Sequence, residues 1–187
     1  MAYPELITTE RLVLRRWRAP EHTPALAAVN AEPEAMRFLN GGVPLTPAQS
    51  AAQSERFSAH WDQHGFGLWA IEAAGDCVGF TGLCHPLWFP AFAHEVEAGW
   101  RLHPSAWGKG YATEAGRAAL VAGFEHLGPE RVIALIDEGN EASMRVATRL
   151  GMAPAGELAG PDSEPMCLYA CAPGLSPTAG VHRPAAS

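Results

Sequence analysis

The 187-residue chain has little cysteine, no long hydrophobic run and no excess of basic charge. Each shortage excludes a class of protein. The four cysteines, Cys77, Cys84, Cys167 and Cys171, are too few for a disulfide scaffold and form no Cys-x-x-Cys pair, so free and mostly buried thiols are expected. No stretch reaches the roughly 18–20 apolar residues that span a bilayer. The first residues lack a basic region followed by an apolar one, so no signal peptide is read there and a cytoplasmic protein is expected. Lys and Arg total 13 against 20 Asp and Glu, a formal charge of -7, which argues against general nucleic-acid binding. The one basic cluster, Arg11, Arg15, Arg16 and Arg18, reads as the solvated face of a strand. Eight histidines are present, but His85, His94 and His103 lack the spacing of a ligand set, so no metal is expected.

What the sequence does have is an ordinary globular balance, 48% apolar and 18% charged. That suits one domain over residues 1–172, with a Pro/Ala-rich tail over 173–187. A strand is expected over 7–17, a helix from about 20 to 30 and a short helix near 34–39. Thr46-Pro47-Ala48-Gln49 has the form of a capping box with proline at the first helical position, and Gly65 suits the end of that helix. Phe57 and Trp61 lie one turn apart on it. Two strands follow, over 67–73 and 76–84, joined by a turn at Ala74-Gly75. After the aromatic loop Leu87-Trp88-Phe89-Pro90-Ala91-Phe92 come a strand over 95–102, a helix over 113–127 and an apolar strand over 131–136. A helix over 140–150 closed by Gly151 and a last strand over 166–170 complete a mixed α/β pattern.

Between the strand over 95–102 and the helix after it lies Trp107-Gly108-Lys109-Gly110-Tyr111-Ala112-Thr113. Two glycines allow close backbone approach, and a helix start offers unpaired amides and the positive end of its dipole, so phosphate is the expected ligand. A Walker A loop is excluded, because His103 and Gly110 stand where it needs glycine and a hydroxyl residue. The dinucleotide fingerprint fails because Thr113 replaces its third glycine. The loop resembles instead the acyl-CoA loop of the GNAT superfamily of N-acetyltransferases. The run from Glu97-Ala98-Gly99-Trp100-Arg101-Leu102-His103-Pro104 through Trp107 to Glu114-Ala115 is similar to the branch of ribosomal-protein alanine acetyltransferases (RimJ/RimL-like), in which tryptophan before the loop is usual. Asn140-Glu141-Ala142-Ser143 with Arg149-Leu150-Gly151-Met152, and the opening Thr9-Glu10-Arg11-Leu12-Val13-Leu14-Arg15, resemble two further blocks of the family.

The resemblance implies a twisted mixed sheet with helices on both faces, and acetyl transfer from acetyl-CoA to a primary amine on a small molecule or a protein N-terminus. It implies that two neighbouring strands splay to admit the pantetheine arm, with backbone contacts from Trp100, Arg101 and Leu102. Gly108, Lys109, Gly110, Tyr111, Ala112 and Thr113 would hold the pyrophosphate, and Asn140 would contact the arm or simply cap its helix. Glu97 would be the base, with Glu95 as the second candidate on the same strand face. Many family members carry a tyrosine after the Asn-led helix as the acid for the thiolate. Here residues 152–157 hold none, which leaves Ser143, and after it Tyr169 or solvent, for that role. The aromatic loop would shape an acceptor pocket or an oligomer contact, so a homodimer stays open. A non-catalytic acyl-CoA-binding module on the same fold is the alternative function, and a nucleotide-phosphate binder a third.

Overall fold

The protein is described from a computed structural model that covers residues 2–161 and 163–174, so the tail expected over 173–187 lies almost wholly outside the described residues. Eight strands form one sheet. In chain order they are β1 (Leu6–Thr8), β2 (Leu12–Arg16), β3 (Leu68–Ala73), β4 (Asp76–Cys84), β5 (Glu97–Leu102), β6 (Val132–Asp137), β7 (Ala153–Ala159) and β8 (Pro165–Cys171), and across the sheet they run β1-β2-β3-β4-β5-β6-β8-β7. Every neighbouring pair is antiparallel except β5 and β6, which are parallel.

Helices cover both faces, as expected. Strand residues alternate sides, and β4 shows which helix takes which. Phe80 packs against Phe57 of α3 (Pro47–His64) and Trp17, with ring centroids 5.0 and 6.2 Å away. Three residues on, Leu83 points the other way and meets Gly123 of α4 (Tyr111–His126), where any side chain would collide with it. The helix α1 (Thr23–Ala31) shares the α3 side, its buried Asn30 donating to Ser50 Oγ at 3.1 Å. A short α2 (Pro33–Met36) follows it, and α5 (Glu141–Arg149) joins α4 on the far face, where Leu150 at its end lies against Gly116.

Local signals positioned these elements. Thr46 Oγ1 accepts from the Gln49 amide at 3.3 Å while Gln49 Oε1 accepts from the Thr46 amide at 2.8 Å, the expected reciprocal box. Gly65 closes α3 in the left-handed conformation, and Ala74 and Gly75 both take positive φ in the β3–β4 turn.

Four expectations need correction. The strand over 7–17 is a hairpin, because Thr9 turns the chain: its amide donates to the Leu12 carbonyl at 2.9 Å, and its hydroxyl oxygen accepts from the Leu12 amide at 3.1 Å. Arg11 therefore sits in a turn and not on a strand face. The strand over 95–102 starts only at Glu97, and α4 begins at Tyr111, so residues 111–113 of the expected loop form the first helical turn. The edge strand β7 was not expected at all, since Pro154 and Gly156 interrupt any alternation; an edge position tolerates both.

Candidate functional site

The parallel seam of the sheet opens as soon as it forms. The strands β5 and β6 share one register pair, Glu97 with Ile133, and one bond beside it, from the Ile133 amide to the Val96 carbonyl at 2.9 Å. Beyond that point both strands run on without a further paired position. Backbone direction alternates along a strand, so the main-chain groups of Ala98, Trp100 and Leu102 face the gap, like those of Val96. Those of Arg101 face β4, where Arg101 pairs with Phe80. The Leu102 carbonyl already accepts from the Trp107 indole N–H at 2.8 Å.

Because β5 and β6 are parallel, the segments after them emerge at the same end. After β5 comes the glycine loop. Gly108 and Gly110 have φ of 72° and 78°, which only glycine adopts freely. Among the described residues, the amides of 108–113 donate to no protein acceptor. That is the set of orphan donors a helix start presents to phosphate oxygens, so the residues fit a CoA pyrophosphate. Lys109, the only lysine in the chain, holds its ammonium 5.9 Å from the Tyr111 ring centre.

The loop is braced from the first hairpin. Arg11 donates to the Lys109 carbonyl at 2.8 Å, lies over the Tyr111 ring at 5.0 Å and bonds Glu114 through Nε at 2.7 Å. Thr9 Oγ1 and the Arg11 amide also donate to Glu114, at 2.7 and 2.9 Å. Burial pushes the Glu114 carboxyl up, and these bonds more than offset it, holding it below its ordinary value. Sequence reasoning gave Arg11 and Thr9 no part in this. The only signal was the opening Thr-Glu-Arg block itself, whose partner lies about a hundred positions away. Of the other arginines expected on one strand face, Arg15 and Arg16 lie on β2 and Arg18 lies beyond it; all three are charge-paired, Arg15 with Glu72, Arg16 with Glu5 and Asp62, and Arg18 with Glu5.

After β6 comes α5. Asn140 is its N-cap, its Oδ1 accepting from the Ser143 amide at 3.1 Å, which leaves the Asn140 amide hydrogens available to a ligand. Ser143 is half-buried in the first turn, and no hydrogen bond among the described residues engages its hydroxyl. Tyr169 lies on β8 opposite Ala134 of β6 and is buried.

Glu97 stands at the fork. Its carboxylate is buried and accepts from the Trp88 indole N–H at 3.3 Å. Burial pushes its pKa up to about 7, with the Trp88 indole and the Leu135 main-chain N–H pulling it back part of the way. The Leu135 amide has the same parity as that of Ile133. Where the next rung of the ladder would be, it meets a side-chain carboxylate instead of a β5 carbonyl. Trp88 belongs to the aromatic loop and stays half exposed, with Leu87 beside it. Glu95 lies outside the strand and pairs with Arg131, whose hydrogen bond holds its carboxyl below the ordinary range. The two acidic candidates thus occupy opposite environments. Among the described residues no group of His, Cys, Asp and Glu could hold a metal ion, and no helix is long and apolar enough to cross a membrane.

The family model described as an acetyltransferase (GNAT) domain matches residues 11–153. The uncharacterised protein YkkB of Bacillus subtilis is 29% identical over 156 residues, covering 78% of this chain and 84% of its own length. The FsC-acetyl coenzyme A-N(2)-transacetylase of Aspergillus fumigatus is 30% identical over 149 residues, covering 73% of this chain and 58% of its own. A crystal structure of an acetyltransferase from Agrobacterium tumefaciens superposes with a TM-score of 0.77 at 29% identity, covering 91% of this chain and 95% of that one.

Proposed function

Because the chain belongs to the GNAT acetyltransferase family and is an acetyl-CoA-dependent N-acetyltransferase, we propose that Glu97 is the base of its reaction and that the braced glycine loop binds the cosubstrate. Acetyl transfer to an amine forms a C–N bond and breaks the C–S bond of the thioester. One proton must therefore leave nitrogen and one must reach sulfur. Amines are mostly protonated at neutral pH, with a pKa of about 10.4 for a lysine side chain and about 8 for a chain terminus. A nearby acceptor with a pKa close to the working pH serves best. The observation that carries this reading is the buried Glu97 carboxylate, raised to about 7, at the point where β5 and β6 part.

The other assignments follow from position. Residues 108–113 would hold the pyrophosphate through their free amides, with Lys109 adding charge. Trp100 and Leu102 would offer backbone groups to the pantetheine arm, and Asn140 its side-chain amide. Arg101 turns its backbone away from the gap, so its part falls to its side chain. Ser143 would deliver the proton to sulfur. Trp88 would hold the Glu97 carboxylate from one side and offer its exposed ring face to the acceptor. The test is release of free thiol from acetyl-CoA, measured across small amines and short peptides with free N-termini. Thiol release that depends on the amine supports the reading. CoA binding without turnover on any amine would make the protein a binding module.

A further inference from the structure

Arg101 carries a charge that no acidic group among the described residues balances. Its guanidinium lies among α1, α2 and α3, where Nη1 donates to Asn30 Oδ1 at 2.6 Å, and to Gln53 Oε1 at 3.5 Å and Met36 Sδ at 3.7 Å. All three acceptors are uncharged. The Phe80 ring lies 5.3 Å away. Nε is buried with no partner, and among the described residues no carboxylate pairs with this side chain. Burial alone lowers its pKa, to about 10, with no compensating acid. Six other arginines, Arg11, Arg15, Arg16, Arg18, Arg131 and Arg145, each have an acidic partner, whereas Arg101 is deeply buried without one. An unpaired buried cation is costly, so a ligand that supplies the counter-charge there would be bound favourably.

The surface beside it is shaped for such a ligand. On the α1/α3 side of the sheet, β4 and β5 present three rows in register: Cys84 with Glu97, Gly82 with Gly99, and Phe80 with Arg101. The middle row has no side chains. A β-carbon built on Gly99 would meet nothing within 4 Å, whereas one on Gly82 would meet the Gly67 carbonyl, so the open space between the carboxylate and the guanidinium lies over Gly99. Asn30 is locked by donating to Ser50 and Gln53, which fixes its oxygen on Arg101 and holds the fork in place.

We propose that the acceptor is an amine that also bears a carboxylate, lying across the floor at Gly99 with its nitrogen toward Glu97 and its carboxylate on Arg101. The proposal rests on the acetyl-transfer reading above and adds the substrate class to it. Three strand residues separate Glu97 from Arg101, about 13 Å between their Cα atoms. Glu97 turns to Trp88 and Arg101 to Asn30, so the acceptor's amine and carboxylate must stand well apart. That separation is several bonds, more than an α-amino acid provides.

The experiment compares straight-chain ω-amino acids with alkylamines of the same length, as kcat/KM with acetyl-CoA. The wild-type protein should prefer the acids by about tenfold to a hundredfold, the range of a charge-assisted hydrogen bond. Arg101→Met should collapse that ratio toward one, and Arg101→Lys, which keeps the charge without the fork, should fall between. Should Arg101→Met fail to fold, Gly99→Val leaves the guanidinium intact and fills the floor, and should raise KM for the acids. Equal use of acids and alkylamines by the wild type overturns the proposal and leaves acetyl transfer standing. A loss of calorimetric CoA affinity in Arg101→Met also overturns it, because the arginine would then serve the cosubstrate. If no amine releases thiol, thermal shift with glutarate separates the two ideas. Stabilisation of wild type but not of Arg101→Met keeps the anion site and overturns the transferase reading, and stabilisation of neither overturns both.

Discussion

Glu95 and Glu97 are two residues apart and chemically identical, yet their surroundings move their carboxyls in opposite directions. Arg131 holds Glu95 in its ionised form, which makes it a weak proton acceptor. Glu97 is buried and titrates near 7. If it is the base, the rate should rise with pH through about 7 as the carboxylate forms. Glu97→Gln keeps the shape and removes the acceptor, so kcat should drop roughly 10²–10⁴-fold with calorimetric CoA binding retained; a drop of only a few-fold would reduce Glu97 to a strand residue. Stability supplies an independent readout. The unfolded chain releases this proton near 4.5 and the folded protein only near 7, so the folded state binds the extra proton between those values. Wild-type stability therefore declines across that window and stays lower above it. The glutamine variant has no such proton, and its melting temperature should gain on the wild type between about pH 5 and about pH 8. Ser143 offers a smaller test. A thiol of pKa about 8.5 leaves tolerably well unaided, so Ser143→Ala should slow acetylation only about tenfold, with CoA affinity little changed. An unchanged steady-state rate would pass the role to Tyr169 or solvent.

At the scale of elements, the start of α4 is where cosubstrate binding and fold stability meet. Its free amides need the loop before it to hold one shape, and Arg11 and Thr9 supply that hold through Glu114 and the Lys109 carbonyl. Gly110→Glu would force a side chain onto a left-handed position beside the Arg11 guanidinium and place a carboxylate where phosphate is expected. It should abolish the rise in melting temperature that CoA gives by mass action. Arg11→Met should weaken the same thermal shift several-fold while the loop sequence stays intact; an undiminished shift would show that the brace is not needed. These elements also show how far the chain could be read from its letters. The Thr46 box, the Gly65 and Gly151 terminators and the Ala74-Gly75 turn were legible, because each is fixed by residues within a few positions of one another. The glycine loop and the Glu97 strand were legible through the family resemblance. Thr9 as a turn residue, β7 with its proline and glycine, and the reach of Arg11 to the loop were not. Each depends on a partner brought close only by the finished sheet.

Over the whole molecule, one departure from antiparallel order does most to create the site. Six of the seven neighbouring pairs are antiparallel, but the crossover through α4 makes β6 run parallel beside β5. Two helix starts are thereby delivered to one end of the sheet, over strands that separate there. The charge of the molecule is disposed with similar economy. Acidic residues outnumber basic ones, and all but one of the Lys and Arg side chains are arginines, six of which are ion-paired among the described residues. Lysine occurs once, and that one lysine stands on the glycine loop. An amine-selective acylating reagent therefore has one side-chain target in the whole chain, apart from the terminal amine. Mass spectrometry of the intact protein should show Lys109 tagging slowed when CoA is present and unaffected by ATP, with equal tagging under both conditions counting against the loop as the phosphate site. The protein thus contains its own footprinting probe: ligand occupancy could be followed residue-specifically without introducing a label, a fluorophore or a new side chain.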